Sequence, residues 1–263
     1  TAVASGLRAT RKALSIWIIT GDGDSLSIGG NHLIHLLRRN FNVNVMLFNN
    51  EIYGLTKGQY SPTSPEGQVT KSTPMGSLDH PFNPLALALG ADGTYIARSI
   101  DRDPLHLRKT LKEAHDHKGT SLVEIYQNCN VFNDGAFGLF TDKKTKQAHT
   151  MMMEEGQPLV FDSETKGLRL DGFKPEVVSL EDGFSKDDLW IHDSSDYWKA
   201  SILSRLFETP SEDMLLPRPF GTFYQTDRPC YEDDMEAQVK QAQEQKGTGN
   251  LDDLLRGEKT WEA

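Results

Sequence analysis

Leu14-Ser15-Ile16-Trp17-Ile18-Ile19-Thr20-Gly21-Asp22-Gly23-Asp24 is the stretch that decides the architecture. A short apolar run closed by a glycine-rich turn reads as a buried strand. The residues after it place Leu33, Ile34 and Leu37 on one helical face. Asn40 is a helix stop signal, Val43 to Phe48 is a second strand-like run, and Asn49-Asn50 ends it. A strand, a helix and a second strand in this order form a crossover unit, which implies parallel pairing.

The same alternation continues downstream. A loop rich in Gly, Ser, Thr and Pro runs from Tyr53 to about Pro81, and loops of that length inside compact domains are commonly functional. Asn83-Pro84 opens a short helix, and Tyr95 to Ile100 is a strand. Asp103 caps a helix that has Pro104 at its first position and Leu107, Leu111 and Ala114 facing inward. The strand Ser121 to Tyr126 then delivers the chain to Cys129. The expected fold is α/β, a mostly parallel sheet with helices on both faces over residues 1–141. An irregular extension is expected over 142–263, where periodicity weakens; in it, Glu232 to Lys246 is polar enough for an exposed helix or a flexible tail. No internal repeat is present.

Composition narrows the function classes. With 263 residues, 37% hydrophobic and 25% charged, the chain suits a globular protein. Its formal charge of −10 argues against a general nucleic-acid binder, which needs a basic surface. No apolar run approaches the roughly 20 residues that span a bilayer, and Arg8, Arg11 and Lys12 ahead of a short apolar run make a poor signal peptide. A cytoplasmic location is expected. Cys129 and Cys230 imply no disulfide framework. The sequence begins at Thr1 without an initiator methionine, and an N-terminal portion is expected upstream.

Gly21-Asp22-Gly23 carries the strongest chemical signal because of its position. In an open parallel sheet, ligands bind beyond the carboxyl ends of the strands, so this turn and the one after Asn49 should lie side by side. Glycines there let backbone amides approach a diphosphate, and a helix N-terminus favours negative charge. A carboxylate and an amide oxygen are hard ligands that suit Mg²⁺. Taken alone the tripeptide fits a tight turn better than a cofactor site. Asn50, 28 positions after Asp22 at the end of the next strand, changes that balance. Cys129 alone fits a small buried hydrophobe. His32 with His35 and His115 with His117 lack the partners of a zinc site and read as structural or surface residues. Met151-Met152-Met153 reads as packing, against a partner subunit among other options.

Gly-Asp-Gly followed by an asparagine pair that closes the next strand resembles the thiamine diphosphate signature. The wider stretch, Gly21-Asp22-Gly23-Asp24 with Leu47-Phe48-Asn49-Asn50-Glu51-Ile52-Tyr53-Gly54-Leu55-Thr56-Lys57-Gly58-Gln59, resembles the beta subunit of 2-oxoacid:ferredoxin oxidoreductases. The likeness continues through Ser72-Thr73-Pro74, His80-Pro81-Phe82-Asn83-Pro84 and Val123-Glu124-Ile125-Tyr126-Gln127-Asn128-Cys129. It is dense over the first half of the chain and looser beyond.

The resemblance implies that Asp22, Asn50 and the backbone carbonyl of Ile52 hold Mg²⁺, and that Gly21, Gly23, Asp24, Gly54 and Leu55 lie against thiamine diphosphate. It implies that Cys129 is one ligand of a [4Fe-4S] cluster, whose other thiolates the family supplies from a segment upstream of the thiamine motif. It further implies oxidative decarboxylation of a 2-oxoacid, with electrons passing through the cluster to ferredoxin and coenzyme A taking the acyl group. An alpha subunit would share the cofactor. The Leu55-Thr56-Lys57-Gly58-Gln59 form resembles the 2-oxoglutarate enzymes, in which Lys57 would help recognise substrate; a solvated surface lysine is the equal alternative. Other readings are a pyruvate or broad 2-oxoacid enzyme, a non-oxidative thiamine-dependent decarboxylase or synthase, and a non-catalytic scaffold subunit. Neither nucleic acid nor membrane is an expected partner.

Overall fold

The computed structural model of the protein describes residues 1–206 and 216–257. Four strands run parallel, β1 (Trp17–Gly21), β2 (Asn44–Asn49), β3 (Tyr95–Ile100) and β4 (Ser121–Tyr126). They lie in the order β1-β2-β4-β3, so the last of them in sequence sits between its predecessors. The chain beyond residue 141 adds β5 (Thr150–Met152), β6 (Val160–Phe161), β7 (Lys166–Asp171), β8 (Lys174–Ser179) and β9 (Arg218–Gln225). β9 pairs antiparallel with β3, and β5 runs parallel to β9, which completes a six-stranded sheet. β6, β7 and β8 form a separate antiparallel sheet. The architecture is the α/β arrangement expected from the sequence.

Period-two alternation sends neighbouring side chains to opposite faces of the sheet. After α1 (Ala2–Thr10), the helices α2 (Gly30–Arg39) and α3 (Pro84–Gly90) cover Val45, Leu47, Ile96 and Leu122 and contribute Leu33, Leu36, Leu37, Leu85 and Leu89. On the other face Tyr95, Ala97, Val123 and Ile125 meet Ala114, Leu107 and Leu111 of the helix Pro104–Asp116. The caps behave as their residue types dictate. Asn83 accepts from the amides of Leu85 and Ala86, and Asp103 accepts from that of His106. Met151 and Met153 are buried in the main core while Met152 is exposed, so this run packs within its own chain.

The strand expected to be buried over residues 14–20 has a neighbour on one side only among the described residues: β1 lies at the edge of the sheet, Ile19 is 63% exposed and Trp17 is 37% exposed. An apolar run reports strand propensity but not how many neighbours the strand has, which tertiary context decides. The polar stretch near the C-terminus forms the helix Tyr231–Lys246, exposed along most of its length. It is pinned at its start by a buried 2.7 Å pair between Arg8 and Glu232 and by Lys12 on Asp233 at 2.9 Å. No helix among the described residues is long and apolar enough to cross a membrane. Residues 207–215 and 258–263 of the C-terminal extension lie outside the described residues.

Asn40 shows how firmly the crossover is fixed. It ends α2 in the left-handed region, at φ 56°, and is fully buried. Its Oδ1 accepts from the Thr94 hydroxyl at 2.6 Å and the Thr120 amide at 2.9 Å, while Nδ2 donates to the Arg228 carbonyl at 3.0 Å. Asn40→Ala leaves these groups unpaired in the interior, at about 1–3 kcal/mol for each unsatisfied group. Chemical denaturation should show a loss of at least about 2 kcal/mol. Asn40→Gly, which keeps the left-handed geometry, should fall between that variant and the wild type.

Candidate functional site

Parallel pairing of β1 with β2, in register from Trp17↔Asn44 to Gly21↔Phe48, brings the turns at their carboxyl ends side by side. Asp22 opens the first turn and is 2% exposed. The Ser61 hydroxyl donates to its Oδ2 at 2.5 Å and the Thr63 hydroxyl to the same oxygen at 2.7 Å. Among the described residues no side chain donates to Oδ1, and no basic side chain pairs with the carboxylate. Burial raises the Asp22 pKa, against the hydroxyl bonds and the Gly23 amide that favour the charged form. A buried carboxylate without a basic partner is a costly arrangement that a bound cation would relieve. Asp22, the Asn50 amide oxygen and the Ile52 carbonyl form a set of hard oxygens of the kind Mg²⁺ takes. By donor chemistry these three oxygens suit the metal.

The second turn is held from several sides. Asn50 Oδ1 accepts from the Ile52 amide at 3.3 Å, and the Asn50 carbonyl accepts from Asn133 Nδ2 at 3.0 Å. Glu51 sits at φ 56°, a left-handed conformation that is uncommon for a residue with a side chain. Its carbonyl accepts from the Ser64 hydroxyl at 2.6 Å. Burial pushes the Glu51 carboxyl up to about 8, with Arg218 opposing and Asp22 and Glu124 adding to the rise. Asn49 Oδ1 lies 2.8 Å from the Thr63 hydroxyl and its Nδ2 donates to Glu124 at 2.8 Å, and Glu124 is paired with Arg98 at 2.7 Å. The Tyr53 hydroxyl donates to the Gly23 carbonyl at 3.1 Å and ties the second turn to the first.

The other residues singled out from the sequence fall into two groups. Gly21, Gly23 and Asp24 form the first turn, and the chain then makes a wide π-type turn, with the Gly29 amide donating to the Asp24 carbonyl at 2.7 Å. Gly54, Leu55 and Lys57 lie in a tight loop closed by the Gly58 amide on the Tyr53 carbonyl at 2.8 Å and the Tyr53 amide on the Gln59 carbonyl at 2.9 Å. Leu55 is 94% exposed. Lys57 is exposed at φ 81°, and its ammonium has no partner among the described residues. Cys129 is half-buried just beyond β4, in a loop where Asn133 both bridges Cys129 and reaches the Asn50 carbonyl. Cys230 is buried far along the chain, its thiol pushed up to about 11 by burial.

Of the histidine pairs, His32 and His35 are exposed. His117 is buried against Thr94 at 2.9 Å, and His115 stacks on Trp17. Among the described residues no group of three or more His, Cys, Asp and Glu side chains could hold a metal. Sequence reasoning missed Ser61, Thr63, Ser64, Glu124, Arg98 and Asn133. The hydroxyl cluster in Ser61-Pro62-Thr63-Ser64 was a visible signal, whereas the buried pair of Arg98 and Glu124 was not. A hollow of about 890 Å³ lined by Leu26, Tyr53, Gln59, Tyr60, Ser61 and Phe82 opens beside the cluster.

Residues 1–125 match the family described as thiamine pyrophosphate enzyme, C-terminal TPP binding domain. The chain is 47% identical, over 99% of its length and 69% of the relative's, to the 2-oxoglutarate oxidoreductase subunit KorB of Mycobacterium tuberculosis. It is 41% identical to the 2-oxoglutarate synthase subunit KorB of Archaeoglobus fulgidus, over 49% of this chain and 48% of that one. The chain thus spans about half the length of the archaeal relative and somewhat over two thirds of the mycobacterial one. A solved 2-oxoglutarate:ferredoxin oxidoreductase from Magnetococcus marinus, with 2-oxoglutarate, coenzyme A and succinyl-CoA bound, superposes with a TM-score of 0.69 at 28% identity. That superposition covers 97% of this chain and 70% of the other.

Gly23 tests the contact between the two turns. A Cβ on Gly23 would lie 2.1 Å from the Tyr53 ring, far inside contact distance. Gly23→Ala should therefore lower the thermal midpoint clearly. Gly23→Ala/Tyr53→Ala should lose less than the sum of the two single changes, because the second removes the obstacle. Additive losses would show that the clash is relieved elsewhere.

Proposed function

From the premise that the chain belongs to the beta-subunit family of 2-oxoacid:ferredoxin oxidoreductases, we propose that it carries the diphosphate-anchoring half of an enzyme that oxidatively decarboxylates 2-oxoglutarate. The products would be succinyl-CoA, carbon dioxide and reduced ferredoxin. The observation that supports this most is Asp22, buried, held by two hydroxyls without a basic partner and set beside Asn50 within the matched thiamine pyrophosphate domain. Asp22, Asn50 and the Ile52 carbonyl would hold Mg²⁺, and Gly21, Gly23, Asp24, Gly54 and Leu55 would line the cofactor. Thiamine diphosphate, when bound, supplies stabilisation of the carbanion left as the 2-oxoacid loses carbon dioxide.

The chain's own residues anchor and exclude. Gly23, with no side chain, makes room for the Tyr53 ring, which packs across it and donates to its carbonyl, so the two turns close on each other. The exposed Leu55 suits a contact with a neighbouring subunit, the alpha subunit of the family arrangement. Cys129 would give one thiolate to a [4Fe-4S] cluster; these 263 residues hold no other cysteine near it, so they do not by themselves fit a complete cluster. The names 2-oxoglutarate oxidoreductase and 2-oxoglutarate:ferredoxin oxidoreductase among the similar proteins favour the oxidative reading over a non-oxidative thiamine enzyme or a scaffold.

In calorimetric titrations, Asp22→Ala and Asn50→Ala should each abolish Mg²⁺-dependent binding of thiamine diphosphate, since each removes an oxygen ligand. Unchanged affinity in both variants would sink the anchor assignment. Lys57, exposed in its tight loop, is proposed to pair with the distal carboxylate of 2-oxoglutarate. Lys57→Ala should then lower kcat/KM for 2-oxoglutarate by about 1.5–3 kcal/mol of transition-state stabilisation. The value for 2-oxobutyrate, which lacks that group, should be nearly unaffected. Equal losses for both substrates would move Lys57 to the shared end of the substrate.

A further inference from the structure

We propose that Ser61 and Thr63 are positioning residues for the metal anchor: both donate to one oxygen of Asp22, Oδ2, and so present its other oxygen, Oδ1, to the cation. The inference rests on the reading of Asp22 as a magnesium ligand. Its geometric basis is independent of any ligand. Both hydroxyls converge on Oδ2, at 2.5 and 2.7 Å, and Asp22 is too buried for water to orient it instead. Two donors on a single oxygen fix the plane of a carboxylate as well as its direction.

Thr63 has one proton and two acceptors within reach, Asp22 Oδ2 at 2.7 Å and Asn49 Oδ1 at 2.8 Å. The charged oxygen is the stronger acceptor and takes the proton. Asn49 Oδ1 keeps the Glu51 amide at 3.3 Å, and its Nδ2 is committed to Glu124, so the amide cannot be turned the other way. Thr63 therefore stands between the end of β1 and the end of β2, within reach of both Asp22 and Asn49.

The hydroxyls are themselves held in place. The Ser61 amide donates to Ser64 Oγ at 2.8 Å, and the Ser64 hydroxyl donates to the Glu51 carbonyl at 2.6 Å. The Phe82 amide donates to the Pro62 carbonyl at 2.8 Å. Ser61-Pro62-Thr63-Ser64 is thus a preset clamp that touches the carboxylate on one side and the Asn50 turn on the other. Residues that orient a metal's ligands without touching the metal typically contribute about 10–100-fold in affinity.

The test is a calorimetric titration of Mg²⁺ at saturating thiamine diphosphate on the assembled enzyme, with circular dichroism and metal-free thermal midpoints as controls. Ser61→Ala and Thr63→Val should each weaken Mg²⁺ binding about tenfold or more. The double variant should weaken it further, and Thr63→Ser, which keeps the hydroxyl, should bind close to the wild type. A merely structural role would lower the metal-free midpoint and leave Mg²⁺ affinity unchanged. If Thr63→Val does not fold, Ser61→Ala carries the test, because it removes one bond to Oδ2 without disturbing Asn49. Wild-type affinity in a folded Ser61→Ala, alongside lost binding in Asp22→Ala, overturns the positioning role and leaves the anchor standing. Wild-type affinity in Asp22→Ala overturns both.

Discussion

A carboxylate buried without a basic partner is the constraint around which the carboxyl edge of the sheet is built. Asp22 could lower its cost by pairing with a lysine or arginine, and the chain offers it hydroxyls instead. Hydroxyls stabilise the anion while adding no charge, so the electrostatic demand for a cation is retained. The surrounding groups follow from that choice. Thr63 must be shared with Asn49, Asn49 must be satisfied by Glu124, and Glu124 must be neutralised by Arg98 deeper in the sheet. The buried Arg98 is committed to Glu124, which reaches Asp22 only through Asn49 and Thr63.

The same edge tolerates backbone conformations that a regular element would reject. Glu51 is left-handed between two asparagines and a buried isoleucine, and Lys57 is left-handed in the next loop. Side-chain bonds from Ser64 and Asn133 to the carbonyls of residues 50 and 51 hold the first of these in place. The rigid sheet below makes such loops affordable, since the six-residue register between β2 and β4 fixes where each loop starts.

Much of this was legible in the sequence. The four parallel strands, the capping by Asn83 and Asp103 and the stop at Asn40 follow from local rules that the structure obeys. The juxtaposition of the Asp22 and Asn50 turns was legible because a parallel crossover admits few alternatives. That β1 has one strand neighbour among the described residues was not legible, because an apolar run looks the same with one neighbour or two. Nor was the partnership of Asp22 with Ser61 and Thr63, since an irregular loop carries no period by which to place its residues. Arg98 and Glu124 looked like ordinary charged residues in two strands. Only the adjacency of β3 and β4 turns them into a buried pair.

The insertion of β4 between β2 and β3 has a consequence for the order in which the molecule comes into being. A growing chain that has made β1, β2 and β3 holds Asp22, Asn50 and Thr63 but lacks the central strand that sets the spacing of the others. Glu124, which completes the bonding of Asn49, and Asn133, which fixes the Asn50 carbonyl, emerge later still. Contacts spanning 75 and 83 residues are slow to close, and everything at the carboxyl edge waits for them. The carboxyl edge is therefore the part of the sheet that is completed last, after the strand at its centre has been made.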